Sequence, residues 1–361
     1  MSTFEFTVLG ASGGPSEGGT QSMLLREHGT LGSEKWICVD AGSGLHQLMS
    51  MLAKKQRLAA NERDSCMGDR IESLYRNMEE PLSAFIDRRL HVLRGLNSSE
   101  LLVSEDNIIC AALKMFNKIR EYYITHPHLD HVAALVINSP AVKAEGKTIL
   151  GLKSTVDALK EHLFNDVIWP DLLAEKSTPL DFNVLRELKV HKCVSVPNWS
   201  ILPFPVSHGQ TVVGRVPNFS TVYLIKDQRT DNCLLVCGDL ESDLISGKPY
   251  LSNVWNYLSE NIPFNRITGI VMECSSPSST EKAHLYGHMS SRYVVHELKQ
   301  LSKAYDRPLD GLKVIIIHVK MEPQEIDPRL TILEELRSLA SMAGIGDIIF
   351  SIAIQGYTFI L

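Results

Sequence analysis

The 361-residue sequence predicts an α/β protein, and three observations carry that expectation. Strand-like runs alternate with helical patterns along most of the chain. Hydrophobic residues make up 44% and charged residues 22%, the values of an ordinary globular protein rather than of a disordered, collagen-like or coiled-coil chain. Histidine and aspartate recur directly after apolar strand-like runs, at the strand ends where α/β proteins place ligands. The length suits one large, elaborated domain over residues 1–361 better than two, and no internal repeat, low-complexity tract or linker marks a boundary.

Taken in order, "FEFTVLG", "TQSMLL" and "KWICVDAG" predict three short strands, each closed by glycine or turn residues. From about Gly44 to Arg120 the character changes. "LHQLMSMLAKK" and "IICAALKMFNKI" carry helical periodicity between charged and breaker segments, which predicts a helical insertion at about residues 50–115. "IREYYIT" is rich in β-branched and aromatic residues and reads as a strand. Beyond it, strands are expected at "KTILGL", "KCVSV", "ILPFPVS", "STVYLIK", "NCLLVCG" and "ITGIVMEC", with helices at "STVDALKEHLF" and "VWNYLSENI". A helix opened by Ser290 or Ser291, the buried strand "LKVIIIH" and a helix capped by Asp327 with Pro328 in its first turn follow. "DIIFSIAIQGYTFIL" is expected to close a sheet.

Lys and Arg total 36 against 42 Asp and Glu, so the formal charge of -6 provides no basic field for a nucleic acid polymer. No stretch approaches the roughly 18 uninterrupted apolar residues of a membrane span, and "MSTFEFTVLG" lacks the basic and apolar regions of a signal peptide. The seven cysteines are scattered without a CxxC pair, unlike a disulfide framework or a zinc knuckle. A cytoplasmic protein with no membrane partner is expected.

"YYITHPHLDHVAALVINSP" then poses the functional question. His126, His128, Asp130 and His131 crowd the loop after a strand and the start of the next helix, a density that a folding core does not need. Imidazole and carboxylate suit zinc, manganese or iron, and a tight loop can turn several toward one point. Four such groups exceed one metal's usual local share but cannot complete two sites. His208 after "ILPFPVS", Asp239 after "CLLVCG" and His318 after "LKVIII" lie at strand ends and supply a second half. Five histidines and two aspartates suffice for two ions with one bridging carboxylate and a bridging water. The charges of two divalent ions, less those of Asp130, Asp239 and a hydroxide, leave about one positive charge, which complements a phosphodiester.

"THPHLDH" with distant strand-end ligands resembles the metallo-β-lactamase superfamily, which implies a four-layer αββα sandwich with a metal site at one edge. That stretch in its context, together with "VLGASGGP", "VDAGSG", "FNDVIWPDL", "VCGDLE", "ECSSP", "LYGHMS" and "DPRLTILEELR", resembles the class II 3',5'-cyclic-nucleotide phosphodiesterases; only the insertion resembles them poorly. The resemblance implies two zinc ions, one held by His126, His128 and His208, the other by Asp130, His131 and His318, with Asp239 bridging. It implies hydrolysis of cyclic AMP, and of cyclic GMP, to the 5'-nucleotide by a hydroxide shared between the ions. Asp130 would also orient that nucleophile, and His288, held by Glu273, would protonate the departing ribose 3' oxygen. His288 competes with His318 for the last ligand position. His318 is expected to win it because it ends a strongly apolar strand, whereas His288 lies in a glycine-flanked loop suited to a mobile acid.

Lesser signals have two readings each. "LGASGGP" is a strand-closing turn or a set of backbone N–H groups near the phosphate. Asp40 is a turn residue or the acceptor that orients a ligand histidine. Asn138, Ser139, Asn165 and Asp166 are candidate contacts to base or ribose, although such residues also cap helices and shape turns. Cys237 is a thiolate ligand or, as expected, a small buried residue. The competing functions are a ribonuclease Z-like transfer RNA nuclease, a glyoxalase II-type thioesterase and a metal-binding scaffold without turnover. Related folds often dimerise, and the insertion is a candidate homodimer interface or lid.

Overall fold

The computed structural model describes residues 3–30, 35–58, 66–73, 75, 78–96, 107–142, 146–172 and 180–361. Two large mixed sheets dominate it. The first runs in spatial order His91–Arg94, Tyr357–Ile360, Phe4–Gly10, Ser22–Glu27, Trp36–Val39, Ile119–Tyr123, Lys147–Leu152 and Leu180–Leu185. The second runs His191–Lys192, Trp199–Gln210, Pro217–Asp227, Cys233–Cys237, Ile267–Glu273, Lys313–Ile317 and Ile349–Ile352.

Alternation along the strands explains the layers. Phe4, Phe6, Val8, Met23, Leu25, Ile37, Val39 and Tyr123 face the second sheet and join Phe204, Val206, Val222 and Leu234 in one core. The residues between them, Leu24, Cys38, Tyr122 and Ile149, face the other way and pack with Leu48, Met115, Phe116, Leu135 and Leu159 of the helices Leu45–Leu58, Ile108–Lys118, Leu129–Asn138 and Lys153–His162. On the far side of the second sheet, Val254, Leu298 and Leu333 of three further helices, Tyr250–Asn261, Ser291–Ala304 and Pro328–Ala343, seal the core. The result is the expected αββα sandwich. As expected, Ser290 and Asp327 precede their helices, and the Asp327 side chain accepts from Arg329 N.

The centre of each sheet is parallel. Trp36–Val39, Ile119–Tyr123 and Lys147–Leu152 run together in the first; Cys233–Cys237, Ile267–Glu273 and Lys313–Ile317 run together in the second. Parallel strands end on one rim, so the segments that follow Val39, Tyr123, Cys237, Glu273 and Ile317 all emerge there.

Three expectations need correction. Among the described residues, the segment from about 50 to 115 is helical chiefly toward its ends. Between them lie the hairpin Arg70–Glu72 and Glu79–Pro81, a single helical turn at Leu82–Phe85, and the strand His91–Arg94, which pairs with Tyr357–Ile360. Strands this short leave no periodicity to read, and the partner of His91–Arg94 comes from the far end of the chain. "DIIFSIAIQGYTFIL" does not close one sheet: Ile349–Ile352 edges the second, and after the turn at Gly356 (φ 88°) Tyr357–Ile360 enters the first beside Phe4–Gly10. "KCVSV" is mostly a turn, because Glu121 accepts the Val194 and Ser195 amides and draws the chain out of the sheet. No helix among the described residues is long and apolar enough to cross a membrane.

Candidate metal centre

His126 follows the strand Ile119–Tyr123, His128 stands at the position just before the helix Leu129–Asn138, and Asp130 and His131 occupy that helix's first turn. A carboxylate is favourable there because the helix N-terminus presents unpaired N–H groups. The "VDAGSG" segment braces this turn: Ala41 N donates to His131 O and Leu135 N to Ala41 O. Gly42 is required at the contact, since a Cβ on it would lie 1.8 Å from Asp130 O.

Opposite, His208 lies near the end of Trp199–Gln210, Asp239 follows Cys233–Cys237, Glu273 ends its strand and His318 follows Lys313–Ile317 with φ 61°. His288 arrives on the loop before Ser291–Ala304. Gly287, at φ 88°, lets that loop pass so close to His208 that a Cβ would meet His208 O at 2.6 Å.

The side chains converge on Asp239. Its Oδ2 lies 3.1 Å from His318 Nε2, 3.2 Å from His131 Nε2, 3.6 Å from His126 Nε2, 3.8 Å from His288 Nδ1 and 3.9 Å from His208 Nε2. Asp130 Oδ2 is 3.2 Å from His318 Nε2 and 3.7 Å from His131 Nε2, whereas His128 Nδ1 is 3.3 Å from His208 Nε2. Four overlapping groupings with ligand atoms within 4.8 Å of one another result: His126, His128 and His208; Asp130, His131, Asp239 and His318; His208, Asp239 and His288; and Glu273, His288 and His318. The rings of His288 and His318 stack at 4.9 Å.

Neighbouring groups fix the ring tautomers. His131 Nδ1 lies 2.8 Å from Asp40 Oδ2, and Asp40 also accepts from Thr125 N at 2.8 Å and Gln21 Nε2 at 3.1 Å. A carboxylate can only accept, so His131 carries a proton on Nδ1 toward Asp40, and its Nε2 is turned toward Asp239. His208 Nδ1 likewise donates to Gly287 O at 2.9 Å. His288 Nδ1 donates to Glu273 Oε1 at 3.2 Å, which also accepts from Leu240 N and Met289 N. Asp40 therefore orients a histidine of the cluster, the sharper of its two readings.

Electrostatics point the same way. Burial holds the His126 pKa well below its ordinary value and pushes His208 down to about 3, which keeps both rings neutral with free lone pairs. Burial also acts against charge on His131, but the carboxylates of Asp239 and Asp40 outweigh it and raise its pKa. Burial would raise Asp239, yet His131 and His318 bring it well below the carboxylate range; for Asp130 the His318 hydrogen bond overrides burial similarly. These opposed shifts belong to a cluster that shares positive charge around two carboxylates. His126 Nε2 and Asp239 Oδ1 are buried without a hydrogen-bond partner, so the polar atoms at the centre fit divalent cations as their missing partners.

The other candidates are engaged elsewhere. Asn138 Oδ1 accepts from Leu45 N at 3.0 Å; Ser139 Oγ donates to Val136 O at 2.7 Å and accepts from Trp169 Nε1 at 3.0 Å. Asn165 Oδ1 accepts from Val167 N and Ile168 N, and Asp166 Oδ1 from Asp171 N at 2.8 Å. These four hold helix ends and turns rather than joining the histidine cluster. Gly13 N donates to Val319 O, so that amide is spent on pairing "LGASGGP" with the segment after His318. The Cys237 thiol is buried, and burial raises its pKa, as a small core residue requires. Sequence reasoning missed Thr125, whose Oγ1 lies 3.1 Å from His126 Nδ1, Ser275, 3.2 Å from His318 Nδ1, and the Ser207 to Glu241 bond of 2.6 Å between the segments bearing His208 and Asp239. Their available signal was position, one or two residues from a ligand or from Glu273.

Comparison with known proteins identifies the family and the fold. The family model for class-II cAMP phosphodiesterases matches residues 30–356. The chain is 42% identical over 376 aligned positions to 3',5'-cyclic-nucleotide phosphodiesterase 1 of Saccharomyces cerevisiae, covering 100% of both chains. The crystal structure of unliganded yeast PDE1 superposes with a TM-score of 0.93 at 42% identity over 100% of each chain. The metallo-beta-lactamase fold protein YhfI of Bacillus subtilis, 14% identical, superposes at 0.54 over 99% of each chain and shares the fold. The chain belongs to the class-II cAMP phosphodiesterases, cyclic-nucleotide hydrolases of metallo-β-lactamase fold.

Proposed function

We propose that the chain acts as one phosphodiesterase domain over residues 1–361, which hydrolyses cyclic AMP and cyclic GMP to their 5'-nucleotides at a centre for two divalent ions. Family membership supports the reaction class. The observation that carries the centre is Asp239 Oδ2, within 3.9 Å of five imidazole nitrogens. His126, His128 and His208 would hold one ion, Asp130, His131 and His318 the other, and Asp239 both. An imidazole-rich set with carboxylates favours zinc. When bound, such a pair supplies a hydroxide nucleophile near neutral pH and neutralises charge on the phosphoryl oxygens.

The remaining steps belong to side chains. Asp130, 30% exposed at its side chain and at the mouth of the centre, would align the attacking oxygen with phosphorus. The ribose 3' oxygen needs a proton as it departs, and His288 would deliver it while Glu273 holds Nδ1. His318 has its Nε2 among Asp130, Asp239 and His131, which supports it rather than His288 as the ligand. Because Asn138, Ser139, Asn165 and Asp166 are committed to caps and turns, their proposed contribution is to shape the wall beside the nucleoside. All seven cysteines are unpaired, which supports action in a reducing, cytoplasmic compartment. No basic balance supports a nucleic acid polymer as substrate.

The test incubates purified protein with cyclic AMP, a transfer RNA precursor and a glutathione thioester, with and without chelator. Turnover of the cyclic nucleotide alone, abolished by chelator, is the expected result; cleavage of either other substrate at a comparable rate would replace this reading.

A further inference from the structure

The proton on His318 is assigned by a residue with no role so far. Ser275 is buried, two residues beyond Glu273, and its Oγ donates to Glu273 Oε2 at 3.0 Å. A hydroxyl has one hydrogen. With that hydrogen spent on a carboxylate, the lone pairs of Ser275 Oγ remain for its other neighbour, His318 Nδ1 at 3.2 Å. His318 Nδ1 then carries a proton toward Ser275 Oγ, and because the carboxylates of Asp130 and Asp239 can only accept, a cation bound among them would take the Nε2 lone pair.

The hydroxyl's location is set by the main chain. Ser275 N donates to Met289 O at 2.9 Å and Lys320 N donates to Ser275 O at 3.0 Å, so the residue is clamped between the His288 loop and the His318 loop. One carboxylate thus serves both rings: Glu273 Oε1 takes the Nδ1 proton of His288 directly, and Oε2 acts on His318 through Ser275.

We propose that Ser275 is a positioning residue for metal binding, which passes the orientation of Glu273 to His318 and commits His318 Nε2 to the ion held with Asp130 and His131. The inference rests on the two-ion reading. Ser275→Ala keeps both backbone bonds, so the fold should survive while His318 loses the partner that fixes its tautomer. Outer partners of this kind change metal affinity by about 10- to 100-fold.

The measurement is Zn2+ binding to the full chain by competition with a chromophoric chelator, with the two dissociation constants assigned through His318→Ala, which should abolish one. In Ser275→Ala that same constant is expected to weaken about 10- to 100-fold. The other constant should stay within about twofold, as should both constants in Ser275→Thr, which retains a hydroxyl, and in Ser276→Ala, whose Oγ serves Glu322 instead. The melting temperature of metal-free Ser275→Ala should match the parent. Wild-type affinities at both sites in Ser275→Ala would overturn the inference and leave the two-ion reading standing. Equal weakening of both sites with a lowered melting temperature would overturn it as a general loss of structure, and failure of Ser275→Thr to restore binding would overturn it as steric. Parent protein that takes up no second ion would overturn both readings.

Discussion

Four of the seven proposed ligands come from the six residues His126 to His131, whereas His208, Asp239 and His318 lie near or just beyond the ends of three different strands of the second sheet. The first group is positioned locally, by one helix N-terminus and by Asp40 behind it. The second shares its supports: Glu273 reaches His288, the Leu240 amide beside Asp239, and Ser275, while Ser207 and Glu241 tie the segments of His208 and Asp239. A dense loop can thus present ligands by itself, but strand-end ligands depend on cross-bracing, so damage in the second sheet should spread further than damage in the loop.

The sharpest way to break that contrast is Asp239→Asn, because Asp239 touches both groups. It should bind less than one ion per chain and lose about 10³-fold or more in kcat/KM, roughly 4 kcal/mol of transition-state stabilisation. Elemental analysis and steady-state kinetics read both numbers, and retention of two ions would deny Asp239 its bridging place. Next in size is the pair His318→Ala and His288→Ala. The first should retain one ion; the second should retain both and lose about 10²-fold or more in kcat. With a p-nitrophenyl nucleotide ester, whose leaving group needs no proton, most of the His288→Ala loss should vanish. Metal loss in His288→Ala alone would exchange the two roles.

The smallest effect probes the scaffold of the loop. Lys147, buried behind Ile119–Tyr123, donates through Nζ to the Phe116 and Ile119 carbonyls and lies 3.9 Å from the Phe116 ring. Burial pushes its pKa from the ordinary 10.5 down to about 7. Between those values the unfolded chain holds the proton more tightly, so stability rises with pH across the window and the full cost is present below it. Lys147→Met should flatten this slope, at most about 1.4 kcal/mol per pH unit, with metal content unchanged. Denaturant melts from pH 7 to 10 with an undiminished slope would assign the dependence to another group.

The difference between the groups also explains what the sequence revealed. The loop was legible because its ligands are adjacent; alternating strand-like and helical runs showed an α/β protein, while the αββα layers were implied only by the family resemblance. His208, Asp239 and His318 were legible only as polar residues ending apolar strands. The roles of Ser275 and Gly287 were not, since both act through contacts between loops distant in the chain. His91–Arg94 was missed for the same reason: its pairing partner, Tyr357–Ile360, arrives from the last residues.

The central claim is that both groups surround one pair of cations. Elemental analysis of active, unchelated protein, combined with anomalous diffraction from its crystals, measures this directly. Two ions per chain on either side of Asp239 are the expected result; full activity with less than one ion per chain, or density remote from Asp239, would contradict it.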